Sequence, residues 1–204
     1  DLFDVAGQIT ASGSSLLAEA PAASRDAVVV ERLRAAGAIV LGRTNMSEFA
    51  FSGLGLNPHY GTPLTPCAEQ RIAGGSSSGA AVSVALEMAV AGLGTDTGGS
   101  IRIPAAFCNL TGFKPSASRV PLTGTFPLAP SLDSIGALTR SVADSILLDR
   151  ILSGEQLATP MPSLAGLRLA VTRDFVLDQL DETVAVAFER RLQDGRCRSS
   201  EELG

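Results

Sequence analysis

Two glycine–serine clusters hold the side chains of this chain best suited to chemistry. The first is Gly74-Gly75-Ser76-Ser77-Ser78-Gly79 and the second is Thr97-Gly98-Gly99-Ser100. Glycine marks backbone that bends sharply or approaches a neighbour closely, and both clusters place hydroxyls at such bends. Three kinds of chemistry suit them. Gly75-Ser76-Ser77-Ser78-Gly79 matches G-x-S-x-G, the nucleophile elbow, but an elbow follows an apolar strand and needs a histidine after the serine. Here it follows the polar stretch TPLTPCAEQRIAG, and His59, which precedes it, is the one histidine of the chain. The glycines could instead cradle a phosphate. They lack the Gly-Lys-Ser/Thr of a P-loop, and Gly92-Leu93-Gly94 lacks G-x-G-x-x-G spacing and a following acidic residue. The third chemistry needs no histidine: one serine relays the proton of another to a neutral lysine whose pKa is depressed by burial or positive potential. The amides of the glycine run before Ser100 would then face a developing oxyanion.

The segment between the clusters must bring them together. A helix over about 79–89 carries the chain outward by roughly 15 Å at ~1.5 Å per residue. A strand over 90–94, at ~3.3 Å per residue, carries it back about as far. The serines then meet at one end of an αβ unit, where such folds place their chemistry. Around this unit, 24–36 reads as a helix with Ser24 as N-cap and Gly37 past its end, followed by a short buried strand over 38–41. A short helix is expected near 46–51, a long ordered loop over 52–73, a short helix after Pro104 and a strand near 110–113. Residues 114–131 are a proline- and glycine-rich surface passage. Residues 141–152 form a helix with Ser141 and Asp144 as its capping box and Gly154 as its stop. A linker over 156–166, a strand over 167–171 and a helix over 181–193 complete an α/β count with helices outside a sheet.

Bulk properties narrow the function. The 204 residues are 45% hydrophobic, enough for a sizeable core, and the net charge is −5, which offers no footprint for nucleic acid. The longest apolar run, 80–93, is interrupted by Ser83 and Glu87 and is too short to span a membrane. Cys67, Cys108 and Cys197 lack metal-site spacing and read as reduced thiols of a cytoplasmic protein. The chain starts at Asp1 without an initiator methionine, and both ends read as lying inside a larger protein.

Several motifs in order make the chain resemble the amidase signature family of serine hydrolases: GGSSSG at 74–79, GLGTDTGGSIRIPAAFC at 92–108, GFKPS at 112–116 and SLDSIGALTRSVAD at 131–144. GRTNMSEFAF at 42–51 and NPHYGTP at 57–63 resemble its upstream segment, and Ser76 and Ser100 are 24 positions apart, as in the family. The resemblance implies an α/β fold with a mixed central β-sheet covered by helices on both faces, present here in part. It implies an amidase core over 1–154, a linker over 155–166 and the start of the remainder of the domain over 167–204. Ser100 matches the acylated nucleophile and Ser76 the relay serine, whose preceding peptide bond is cis in the family. Thr97, Gly98, Gly99 and Ser100 match the oxyanion-hole amides, and Ser77, Asp96 and Arg102 match supporting positions. Ala50, Phe51 and Ser52 fall where members line the acyl pocket.

The catalytic lysine of the family sits in a Lys-Asp pair, and Asp1 matches its aspartate, so the lysine is expected immediately ahead of residue 1. Lys114, the one lysine of the chain, matches a non-catalytic position, and the 204 residues alone are expected to be inactive. The reading is an amidase that cleaves a carboxamide C–N bond through an acyl-serine. It acts on a small-molecule amide and needs no cofactor, metal, nucleic acid or membrane; a homo-oligomer stays open. The alternatives are the A subunit of a tRNA-dependent amidotransferase and an inactive truncated remnant. Plainer roles compete residue by residue: Ser77 and Ser78 as helix caps, Ser78 above all, Asp96 as a turn former, and Arg102 as either an ion-pair partner or a substrate contact. His59 reads as a loop residue, Cys108 as core, and Met46, Phe49 and Phe51 as packing residues.

Overall fold

The computed structural model describes residues 1–155, 171 and 177–194. The chain divides into two units, 1–156 and 157–204. In chain order the elements are α1 (Val28–Ala35), α2 (Ser78–Ala85), β1 (Ala91–Asp96), α3 (Arg102–Phe107), β2 (Thr111–Gly112), β3 (Ser134–Thr139), α4 (Val142–Ser153) and α5 (Glu182–Asp194), with 3₁₀ turns at Ser15–Leu17 and Glu48–Ala50. Of these, α5 is the element described in the second unit. The linker expected over 156–166 and the strand over 167–171 lie outside the described residues, apart from Val171.

The sheet of the first unit has the order β1-β3-β2, and both pairings are antiparallel. β3 is buried at every position, and helices cover both of its faces. Alternation along a strand sends Ile135 and Leu138 to opposite sides. Ile135 packs with Val29 and Val30 of α1, Leu152 of α4 and Leu93 of β1. Leu138 packs with Ala80 and Ala81 of α2 and with Ile101, Ala105 and Cys108 around α3. On the second face the strands are almost bare. Gly136 presses on the carbonyl oxygen of Phe113, which a Cβ would meet at 2.1 Å. Small residues there let α2, α3 and the strand after them sit close enough to share one core.

The helix ends follow local rules where nothing else holds the chain. Ser141 accepts the amide of Asp144 at 3.1 Å and donates to its carboxylate at 2.6 Å, and Gly154, at φ +76°, closes α4. α1 begins at Val28 rather than at Ser24. Tertiary hydrogen bonds claim the preceding residues: Ala27 N–H donates to Asp4 C=O at 2.8 Å, Val28 N–H to Thr123 C=O at 3.2 Å, and Asp26 accepts from Ala6 N–H at 2.7 Å while pairing with Arg34. Arg119 fastens the 114–131 passage to the end of α4 by ion pairs to Asp149 and Glu155.

One expected strand is absent, and a strand that was not expected is central. Residues 38–41 form no strand: Ile39 is 83% exposed and Leu41 72%, because no described strand lies alongside to pair with them. β3, the centre of the sheet, is only weakly signalled by SIGALT, whose glycine and alanine are depleted in strands although its isoleucine and threonine favour them.

Gly136→Ala is expected to lower the unfolding free energy by about 3 kcal/mol, since the new methyl meets backbone that cannot swing away. Gly42→Ala, with nothing within 4 Å of its Cβ position, should change it by less than about 0.5 kcal/mol. Urea unfolding of the two variants measures the contrast.

Candidate active site

α2 and β1 form the expected αβ unit. α2 lies against the strand where Gly92 offers no side chain; a Cβ there would meet Ala80 C=O at 3.0 Å. The turn that precedes α2 therefore adjoins the turn that follows β1. Ser77 N–H donates to Ser100 C=O at 3.2 Å, joining the two serine clusters. Further hydrogen bonds hold the first turn: Gly75 N–H to Gly53 C=O at 2.8 Å, Ser47 N–H to Ser76 C=O at 3.1 Å and Gly79 N–H to Asn45 C=O at 2.9 Å. The Gly75–Ser76 peptide bond is cis, as the resemblance implies. Ser76 is fully buried and its hydroxyl has no hydrogen-bond partner among the described residues, whereas Ser100 is 7% exposed. A buried hydroxyl without a partner is costly, and here it lies beside the turn that carries a second serine.

Ser77 packs its hydroxyl over Gly94, where a Cβ would come within 2.7 Å of it. Neither it nor Ser78 caps α2. Ser77 occupies the N-cap position at φ −81°, ψ 45° and makes no side-chain cap; that backbone is not the extended one from which a cap hydroxyl reaches the helix amides. Ser78 is the first residue of α2, and its buried hydroxyl also lacks a partner among the described residues.

The second turn is organised by Asp96, the last residue of β1, whose side chain is fully buried. Its carboxylate accepts from Gly99 N–H at 2.7 Å, Ile101 N–H at 3.2 Å and Arg102 N–H at 3.3 Å. The Arg102 guanidinium adds two bonds of 2.9 Å, one to each oxygen. Burial works to raise the pKa of Asp96, but Arg102 and the three amides outweigh it and hold the carboxyl below the usual carboxylate range. Of the two roles open to Arg102, the ion pair is the one observed. Gly99 sits at φ +129°, where side chains are disfavoured.

This arrangement corrects the oxyanion reading at one position. The Gly99 amide is committed to Asp96 and cannot also face an oxyanion, which leaves Thr97, Gly98 and Ser100 as the amides of the turn not drawn to that carboxylate. Thr97 donates its hydroxyl to Asp133, and Gly98 is exposed.

Phe51 and Ser52 line an open depression together with Ser47, Phe49, Leu56, Pro127 and Leu128. Phe51, 82% exposed, is therefore not a packing residue. Ala50 does not reach the depression. Its methyl is buried with Leu2, Met46 and Leu128, because two successive left-handed residues, Phe49 and Ala50, turn it inward. Ser47, which sequence reasoning passed over, joins this wall to Ser76. His59 lies in its loop, 3.1 Å from the Glu48 carboxylate, with its own amide held by Asn57. Lys114 donates to Pro115 C=O at 2.8 Å. Cys108 is core, and burial raises its thiol pKa. Among the described residues no cluster of three or more His, Cys, Asp and Glu could hold a metal ion, and no helix is long and apolar enough to cross a membrane.

A family model described as Amidase matches residues 1–194. An indoleacetamide hydrolase from Allorhizobium ampelinum is 43% identical over 167 residues, covering 82% of this chain and 36% of the relative. The A subunit of a glutamyl-tRNA(Gln) amidotransferase from Chromohalobacter salexigens is 40% identical over 207 residues, covering 95% of this chain and 42% of the relative. A crystal structure of an amidase, 44% identical, superposes with a TM-score of 0.88 over 97% of this chain and 45% of its own. The chain thus spans less than half the length of these relatives.

The lowered pKa of Asp96 has a definite sign. The folded carboxyl ionises at lower pH than the unfolded one, at about 3.9, so its contribution is complete above that pH and fades as pH falls through the folded value. Asp96→Asn should cost about 3 kcal/mol at neutral pH, the low end for a broken buried pair because Arg102 is half exposed. It should also flatten the loss of stability in acid, which denaturant titrations at pH 7 and across the acid range would measure.

Proposed function

The chain belongs to the amidase family, and on that premise we propose that its two serine turns are the acyl-transfer centre of a carboxamide hydrolase. One observation carries the reading: a fully buried Ser76 hydroxyl without a partner among the described residues lies in a turn hydrogen-bonded to the turn that holds Ser100. Ser100 attacks the amide carbonyl while Ser76 takes its proton and passes it to a neutral base. The tetrahedral oxyanion is met by amides drawn from Thr97, Gly98 and Ser100, each worth about 3 kcal/mol in comparable sites. The relay returns the proton to the leaving amine, and water then releases the acyl group from Ser100 as the acid. Asp96 and Arg102 hold the turn and touch no reacting atom.

The base in this reading is a neutral lysine, the part that the amidase pattern supplies. The substrate is a small-molecule amide whose acyl part enters the depression beside Phe51 and Ser52. The core is taken as 1–154 and the remainder of the domain as starting after a linker over 155–166. A cytoplasmic setting suits the unpatterned cysteines.

A second reading, the A subunit of an amidotransferase, is favoured by the 40% identity to one such protein. It keeps the same serines and adds stable protein partners. Co-purification of those partners from the native source, with glutamine as the amide hydrolysed, would select it over a free-standing amidase.

In the protein expressed from its full reading frame, a fluorophosphonate should form a covalent adduct at Ser100. Ser100→Ala should abolish the adduct, and Ser76→Ala should slow labelling by at least about 100-fold, the scale of a lost proton transfer. Peptide mapping that finds undiminished labelling in Ser100→Ala rejects the nucleophile assignment.

A further inference from the structure

Asp96 secures the second half of the nucleophile turn, from Gly99 to Arg102, and leaves the first half to something else. Gly98 has no atom within 4 Å of where its Cβ would be, so packing does not hold it. Thr97 is anchored through its hydroxyl, which donates to Asp133. The two residues stand one step beyond the last rung of the β1–β3 ladder, where Asp96 pairs with Ser134. They therefore continue the cross-strand pairing through side chains.

Asp133 is 6% exposed and has a second set of donors. Leu128 N–H reaches it at 3.0 Å and Ala129 N–H reaches both of its oxygens at 3.1 Å. Leu128 and its neighbour Pro127 form one wall of the depression beside Phe51. One buried carboxylate thus grips the free end of the nucleophile turn and the wall of the adjoining depression. A carboxylate with several N–H and O–H donors is a strong anchor, and a shift of about 1 Å in a group that meets the reacting centre costs roughly 100-fold in rate.

We propose that Asp133 is a positioning residue: through Thr97 it sets where the Gly98 end of the nucleophile turn lies, and through Leu128 it ties the acyl-side wall to the same anchor. The inference rests on the acyl-transfer reading of Ser100. It separates two effects that a purely structural carboxylate would not separate. Loss of the Thr97 hydroxyl disturbs only the turn and lowers kcat. Loss of the Asp133 charge disturbs the turn and the wall, lowering kcat and raising KM.

The test uses the protein from its full reading frame and any amide that it hydrolyses. Thr97→Val should lower kcat by roughly 30- to 100-fold with KM within about 2-fold, and Thr97→Ser, which keeps the hydroxyl, should return kcat to within about 3-fold of wild type. Asp133→Asn should lower kcat and raise KM, and adding Thr97→Val to it should lower kcat by no more than about a further 2-fold, because both act through one bond. Wild-type kcat in Thr97→Val, failure of Thr97→Ser to rescue, or kcat losses that multiply in the double variant would each overturn the proposal. If Asp133→Asn does not fold, the Thr97 pair decides alone. Fluorophosphonate labelling keeps the two levels apart. Absence of a Ser100 adduct in the wild type defeats the acyl-transfer reading, whereas an adduct together with an unimpaired Thr97→Val defeats only the role of Asp133.

Discussion

A buried carboxylate with five hydrogen bonds is the constraint on which the serine turns depend. Asp96 ends β1 with its side chain out of solvent, and an isolated charge there would be costly. Arg102 and the amides of Gly99, Ile101 and Arg102 together make it tolerable. To bring those donors onto one carboxylate, the chain must fold back within six residues. That return is the turn that holds Ser100. The turn's shape is thus a consequence of neutralising a charge, and glycine at position 99 is what permits the backbone to comply.

The second constraint is closeness. The turn before α2 reaches Ser100 because α2 lies almost on the backbone of β1. Gly92 and Gly94 remove the side chains that would hold the helix away, and Gly136 does the same for the chain that follows α3. Packing at this range leaves little room for substitution. It also explains why the core on this face is built mainly from alanines, Ile101 and Leu138, while bulkier residues of α1 and α4 fill the other face. The serines occupy the thin side of the sheet, where backbone meets backbone.

Much of the fold was legible because local rules governed it. The capping box and closing glycine of α4, the helix–strand return between the serine clusters and the junction of those clusters all follow from residue type and spacing. The errors share a cause. α1 starts late because residues from two distant segments take up the amides ahead of it. Residues 38–41 look like a strand but have no described partner. β3 carries only a weak strand signal and is the centre of the sheet, since the strands on either side supply its pairing. Ser78 has the identity of a helix cap and sits one position too far along, with the backbone before it bent the wrong way.

For the candidate site the division is similar. Residue types and spacing single out Ser76 and Ser100 as candidates, because glycine–serine motifs are a local record of a turn, and the resemblance to the amidase signature family adds Asp96 and Arg102 as supporting positions. Only the tertiary structure decided how the groups around them are shared out. It commits the Gly99 amide to Asp96, turns Ala50 into the core while leaving Phe51 outside, and brings Asp133 from 36 positions away to hold Thr97. Each of these is a contest between groups distant in the chain for one hydrogen bond or one cavity. Spacing along a sequence carries no information about such a contest until the strands are paired.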